Sequence, residues 1–579
     1  MYSTHLLWEA MNKLLKPYFE RQLVEDKRDD GYWIEAFDID DDSKIDIVGY
    51  GLGVGEVNWY QNPSWHKRTI AKYLGPVGMH HGDINQDGNL DIIICYQYGQ
   101  TMVNADPTGG KIDWLENPGD PDGEWKRHYI GRATSMHRLK VGYFTQEAKL
   151  EVLALPIVGR PNDVHSIVPV KLFTQPEDLE NATQWHEHII DQGNYHVIHG
   201  VSIKKYHQLF GIKPNINLDS ALIASEEGIT WLYYDPQEKQ WHRKLIGTGE
   251  VTQASKTGFK GSGNVDLGKI GDDKSAYIPT VEPFHGNTVA VYYKDKKSQP
   301  SPGWDYSWQR LVLDVYDNPN PLGEGPGHFV ICADFDGDGD DEFLVAFRGP
   351  EPWQGVYYYK VIDLEKGAFV KWRVSSDSAA RIAVADFNGD GRLDFATIGY
   401  SVAGYYTADN PLIAIFYNRF APVSELTIKE INMNATQLAQ ITTDPACKAV
   451  VEFLSVLETK EVDNLLTIWA EECLFELPFS HKGIPGLEYP KFRGRQRIYE
   501  LFQKVAVDKN IQCKDIKLFP MRDPEYAYVE FFCDIEQLDL GIKYTNHYCG
   551  LARVIEGEIV LLREFFHALI RQNFEATGF

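Results

Sequence analysis

Two sets of side chains in this sequence have types and spacings that could do chemistry. The first is an acidic turn, with Asp38, Asp40, Asp42 and Asp46 at positions 1, 3, 5 and 9. The spacing returns as Asp83, Asn85, Asp87, Asp91, as Asp334, Asp336, Asp338, Glu342, and as Asp386, Asn388, Asp390, Asp394. Oxygens placed this way, with a main-chain carbonyl at position 7, can surround a hard cation, and calcium takes about six to eight of them. Structural Ca2+ in these turns is the expectation. The second set is histidine: His80 and His81, His137, His196 and His199, and His328. Imidazoles gathered in one place bind a transition metal such as Zn2+, or exchange protons near neutrality. Arg381 and Tyr32 stand at comparable offsets and could hold a carboxylate or a polyol. The competing reading of each histidine is a bond to neighbouring main chain.

The elements that must position these groups are repeats. Each acidic turn lies between two apolar runs, as in Asp83-Ile-Asn-Gln-Asp-Gly-Asn-Leu-Asp-Ile-Ile-Ile. Worn copies end in Leu150-Glu-Val-Leu-Ala-Leu, Asp219-Ser-Ala-Leu-Ile-Ala and Ser275-Ala-Tyr-Ile-Pro-Thr, which makes seven. A second motif alternates with the first and opens on Trp65, Trp125, Trp185, Trp241 and Trp308, with a looser copy around Trp372. Its seventh copy is at the other end of the chain, as Phe19-Glu-Arg-Gln-Leu-Val. A repeat of this length reads as a propeller blade. An outer strand supplied by the N-terminus would complete the last blade, near residues 380–418, and close the ring.

These paired motifs resemble the FG-GAP (VCBS-type) propeller family over residues 1–418. The resemblance implies a seven-bladed β-propeller whose inner strands converge on a channel. The histidine-lined version also resembles the propeller of the fungal aldos-2-ulose dehydratases, which eliminate water from keto-sugars. Those enzymes carry cupin domains behind the propeller, whereas this chain continues differently.

After a polar stretch at 419–443, residues 444–579 read as a second domain. Val450, Val451, Leu454, Leu457, Val462, Leu465 and Leu466 fall at helical spacing and predict one helix over 446–470. A strand from Cys473, a helix from Phe492, and strands at 526–536, 542–555 and 559–566 follow. The order resembles the SnoaL-like, nuclear-transport-factor-like cone, in its phenazine-biosynthesis branch. Arg493-Gly-Arg, Asn546-His547 and Leu562-Arg-Glu564-Phe carry the match. It implies an apolar pocket in which Glu564 moves a proton, with His547 and His481 near the mouth. Ketosteroid isomerase places its base directly before a proline on the first strand, and here that position is Leu477, which argues against its mechanism.

Composition limits the choices. A net charge of -26 over 579 residues disfavours nucleic acid and anionic membrane as partners. Seven cysteines without a CxxC pair, and no apolar leader, point to free thiols and a cytoplasmic location. The fold expected is mainly β, a seven-bladed propeller plus a C-terminal α+β cone. The function expected is a lyase or isomerase acting by proton transfer beside a carbonyl, on a small keto-sugar or natural-product intermediate. Two alternatives stand beside it: a polyketide- or terpene-type cyclase with only the cone catalytic, or a non-catalytic ligand-binding propeller whose cone forms a homodimer.

Overall fold

The computed structural model describes residues 15–179, 181–213, 215–251, 258–294, 307–316, 324–422, 434–442, 444–477, 491–521, 525–538 and 541–566. Contacts divide them into two compact units, Pro17–Phe420, and the residues from Ala421 onward together with Leu15 and Lys16, which the sequence assigned to the propeller.

The first unit is a seven-bladed propeller of antiparallel sheets, each of four main strands. Blade one runs Trp33–Phe37, Asp46–Tyr50, Glu56–Gln61 and His66–Lys72, from innermost to outermost. Blades two to six repeat this order along the chain, and blade five carries the extra short strand Gly268–Ile270. Blade seven joins Arg381–Ala385, Asp394–Ile398 and Ile413–Asn418 to the N-terminal strand Phe19–Glu25. Phe19 pairs with Asn418 and Arg21 with Phe416, so strands from both ends of the unit close the ring. The second strand of each blade is mostly apolar and almost wholly buried. Ile92, Ile93 and Ile94, and Leu344, Val345 and Ala346, are fully buried. Outer strands are more exposed, as in the run His186–Asp191.

The acidic turns also stitch blades together. Asp46, Asp91 and Asp394 are fully buried, and each accepts amide hydrogens from its own turn and from an asparagine past the third strand. Those asparagines reach back to the preceding blade. Asn62 Nδ2 donates to Phe387 O at 2.8 Å, Asn117 Nδ2 to Ile39 O at 2.9 Å, and Asn418 Nδ2 to Phe335 O at 2.6 Å. Gln175 does the same to Ile84 O at 3.1 Å. Buried carbonyls need such partners.

The second unit is α+β. Its six-stranded sheet has the order Lys491–Arg493, Trp469–Glu476, Glu558–Phe566, Ile542–Ile555, Tyr526–Gln537, Lys509–Pro520, with one parallel pair. The helix Pro445–Thr459 packs Val450, Val451, Phe453 and Leu454 against it. The sequence predicted one helix to 470, but it ends at Lys460, whose left-handed backbone (φ 62°) caps it. Leu465 and Trp469 keep their apolar contacts from a short turn and the next strand, so periodicity persists after the helix stops. Residues 434–442, read as linker, carry the capped helix Ala435–Ile441. The helix expected from Phe492 starts at Arg495, after Gly494 at φ 84°. The strand Lys509–Pro520 was not anticipated, because its Lys, Gln and Asp residues face solvent on an edge.

Candidate active site at the propeller axis

The innermost strands bring histidines to one end of the axis. His137 enters at the start of Met136–Gly142, where a bulge between Met136 and Arg138 lets both His137 and Arg138 be buried. His328 uses an equivalent bulge between Gly327 and Phe329. His199 precedes the strand Gly200–Lys204, and its amide bonds Ala224 O. A fourth imidazole, His285, comes from the connection between the second and third strands of blade five, at φ 45°. Ring centroids of His199, His285 and His328 lie 4.9–5.3 Å apart, and His137 is 5.2 Å from His199.

The surroundings fix which nitrogens face inward. His199 Nδ1 donates to Gly263 O at 2.7 Å, and His328 Nδ1 donates to Ala380 O. His328 therefore presents an Nε2 with no partner among the described residues, while His199 Nε2 accepts from Arg138 Nη2 at 3.4 Å. His285 Nδ1 lies 3.3 Å from Glu324 Oε2, without hydrogen-bond geometry. One ligand atom from each of the three falls within 4.8 Å of the others, a spacing that could hold a metal ion. Burial, then the positive charge of Arg138 or Arg348 and the other imidazoles, holds all four histidines well below their ordinary value, so they are neutral.

Beside the triad sits a polar chain. Tyr32 Oη lies 3.0 Å from His137 Nε2 and accepts from Arg138 Nη1 at 3.0 Å. Arg138 also donates to His199 O at 2.9 Å. His137 Nδ1 has no partner among the described residues. Arg348 donates to Glu324 at 2.8 Å while its Nε and Nη1 remain unpaired. Tyr98, Tyr400 and Tyr405 pack over His137, His328 and His285 at 5.7, 5.0 and 5.4 Å. A separate pocket of about 650 Å³ on this unit is lined by Asp30, Leu52, Gln100, Thr101, Val402 and Thr407, and none of the four histidines lines it.

The structure thus joins Tyr32, His137, His199 and His328, which the sequence singled out, and adds His285 and Arg138. The others have different surroundings. His80 Nδ1 accepts the Val141 amide at 3.1 Å, and His81 pairs with Glu35 at 2.9 Å. His196 pairs with Glu227 at 2.7 Å. Arg381, expected to hold a carboxylate, is stacked between Trp33 at 3.8 Å and Phe329 at 4.3 Å. His285 was missed because it belongs to a connection and not to an innermost strand. Its signal was the Glu-Pro-Phe-His-Gly run that turns the chain after a long apolar strand.

The cone assembles less. His547 is exposed and stacks on Phe532 at 4.5 Å, while its neighbour Asn546 takes the inward position. It is therefore turned away from the pocket it was expected to flank. Glu564 is half-buried opposite Gly550. The buried carboxylate is instead Glu476, paired with Arg563 at 2.7 Å. A groove of about 610 Å³ on this unit is lined by Glu458, Asp534, Glu536 and Lys543, and neither Glu564 nor His547 lines it. His481 lies outside the described residues.

Comparison with known proteins bears on this division. The profile of the aldos-2-ulose dehydratase β-propeller domain matches residues 109–295, and an FG-GAP-like repeat profile matches 334–397. An aldos-2-ulose dehydratase from Phanerodontia chrysosporium is 40% identical over 420 residues, 69% of this chain. The propeller resembles that of the aldos-2-ulose dehydratases. The chain spans 46% of that dehydratase's length. An uncharacterised PhzA/B-like protein of Pseudomonas aeruginosa is 26% identical over 133 residues, covering 23% of this chain and 90% of its own. A solved phenazine biosynthesis-related protein from the same organism is 21% identical, covering 24% of this chain and 87% of its own, at a TM-score of 0.20. The dehydratase-like propeller is the unit that carries the histidine cluster.

Proposed function

We propose that the propeller axis is the site of a lyase acting by proton transfer beside a carbonyl, with a small keto-sugar as substrate. The observation that carries this reading is the convergence of His199, His285 and His328 beside the Tyr32–His137–Arg138 chain. The three imidazoles suit a divalent transition ion such as Zn2+, since main-chain acceptors fix the tautomers of two of them. When bound, such an ion polarises a carbonyl oxygen. The chain's own groups supply the rest. His137 Nδ1 is neutral and unpartnered, so it can take the proton from the carbon beside the carbonyl. Arg138 and the unpaired nitrogens of Arg348 oppose the charge that develops on oxygen. Loss of a hydroxide from the next carbon, with the abstracted proton, gives water and an unsaturated ketone.

The similar protein's name, aldos-2-ulose dehydratase, supports the choice of dehydration over isomerisation or cyclisation. The acidic turns of blades one, two and seven are read as structural calcium sites remote in role from the chemistry. Incubating the purified full chain with 2-keto-sugars, and following enone absorbance, tests the reading. Turnover that His137→Asn leaves unchanged sinks it.

A further inference from the structure

The four acidic turns are not equivalent, and the difference lies in what faces them from the third strand. In blade six, Phe343 pairs with Tyr359, so the next residue on that strand, Lys360, lies across from Glu342. Its ammonium sits among the carboxylates, 2.5 Å from Asp336 Oδ2, 2.7 Å from Asp338 Oδ2 and 2.8 Å from Glu342 Oε1. An ammonium has three donors, and here each has its own carboxylate. The side chain is 10% exposed, with Asp336 at 3% and Glu342 at 0%. Asp334, the remaining carboxylate, accepts the amides of Gly337 and Gly339.

The corresponding positions in the other three turns carry no cation. They are Gln61, Glu116 and Tyr417, one residue beyond the pairs Ile47–Tyr60, Ile92–Leu115 and Phe395–Phe416. Cations do approach the turns of blades one and seven, but from solvent and onto one carboxylate each. Lys44 pairs with Asp42 and is 49% exposed; Arg419 pairs with Asp390 and is 39% exposed. The asparagine that ties Asp46, Asp91 and Asp394 to the next residue of the third strand is also missing from blade six, where Val361 follows Lys360. Glu342, one methylene longer than those aspartates, turns its second oxygen to Lys360 instead. Blade five repeats the device on a worn turn: Lys294 reaches Asp273 at 2.7 Å and Ser275 at 2.6 Å.

We propose that Lys360 is the resident cation of the blade-six turn and takes the place that calcium would occupy in the other three. The donor set itself would suit the metal, but calcium needs about six to eight oxygens converging on one point. A buried ammonium bonded to three of those carboxylates denies it that point. The ring is then built from a contiguous calcium-dependent arc, blades seven, one and two, and an arc that keeps its shape without metal.

Bound calcium per chain, measured by equilibrium dialysis of the full-length protein, tests this directly. Asp38→Ala should lose one ion relative to the unaltered protein, whereas Asp334→Ala should lose none. Lys360→Met should gain one. Chelation followed by hydrogen exchange should deprotect the strands around Asp46, Asp91 and Asp394 and leave Glu342–Phe347 protected. Loss of one ion in Asp334→Ala overturns the proposal, as does a folded Lys360→Met that binds no additional calcium. Should Lys360→Met fail to fold, the Asp334→Ala stoichiometry decides alone.

Discussion

The propeller and the cone dispose of their ionisable groups in opposite ways. At the propeller axis His137, His199, His285, His328, Arg138 and Arg348 are each at most 5% exposed, and several of their nitrogens have no partner. In the cone the buried carboxylate Glu476 is paired with Arg563, and His547 stands in solvent. A structural ion pair satisfies itself. Buried imidazoles with bare nitrogens are an arrangement that folding alone does not reward, since each unmet polar group costs about 1–3 kcal/mol. The contrast favours the axis as the place where a ligand completes the structure.

That contrast can be broken by experiment, and the largest effect concerns activity. His137→Asn should lower turnover about 10²- to 10⁴-fold, the usual contribution of a positioned base, while Glu564→Gln should leave it unchanged. The reverse result would move the chemistry to the cone. Acid comes next. His207 is buried against Trp231 and Tyr233, and burial lowers its pKa to about 4. Because this folded-state value lies below the unfolded one, the unfolded chain binds the extra proton, and stability falls as pH drops from about 6.5 towards 4. The loss from this residue is up to about 3 kcal/mol. His80 and the axial histidines add to it in the same direction. Among the described residues the cone has no buried histidine, so this histidine-linked loss should fall on the propeller, and His207→Phe should reduce it; a variant whose propeller loses as much stability between about pH 6.5 and 4 as the unaltered protein would contradict the assignment. Smaller still, Asn418→Ala should cost about 1–3 kcal/mol by leaving Phe335 O and Leu393 O unpaired. Denaturant unfolding should register it in the propeller transition alone.

Much of this molecule was readable before its structure. Alternating apolar strands and turns repeated at blade length, with one outer strand displaced to the N-terminus, implied the closed ring, because only closure pairs both ends. The four acidic turns were visible as spacing. The reach of Asn62 and Asn117 to the preceding blade was not, since nothing local says which carbonyl a side chain will meet.

Sequence by itself determined the period, the class of most propeller strands and the donor types in the turns, because these depend on residues close along the chain. Only the tertiary structure decided which groups meet. It set His285 from a connection beside His199 and His328 from innermost strands, and it put Lys360 into one acidic turn of four. It also turned His547 outward. Encounters of that kind depend on strand register and on the curvature of the ring, where a one-residue shift reverses the face a side chain takes.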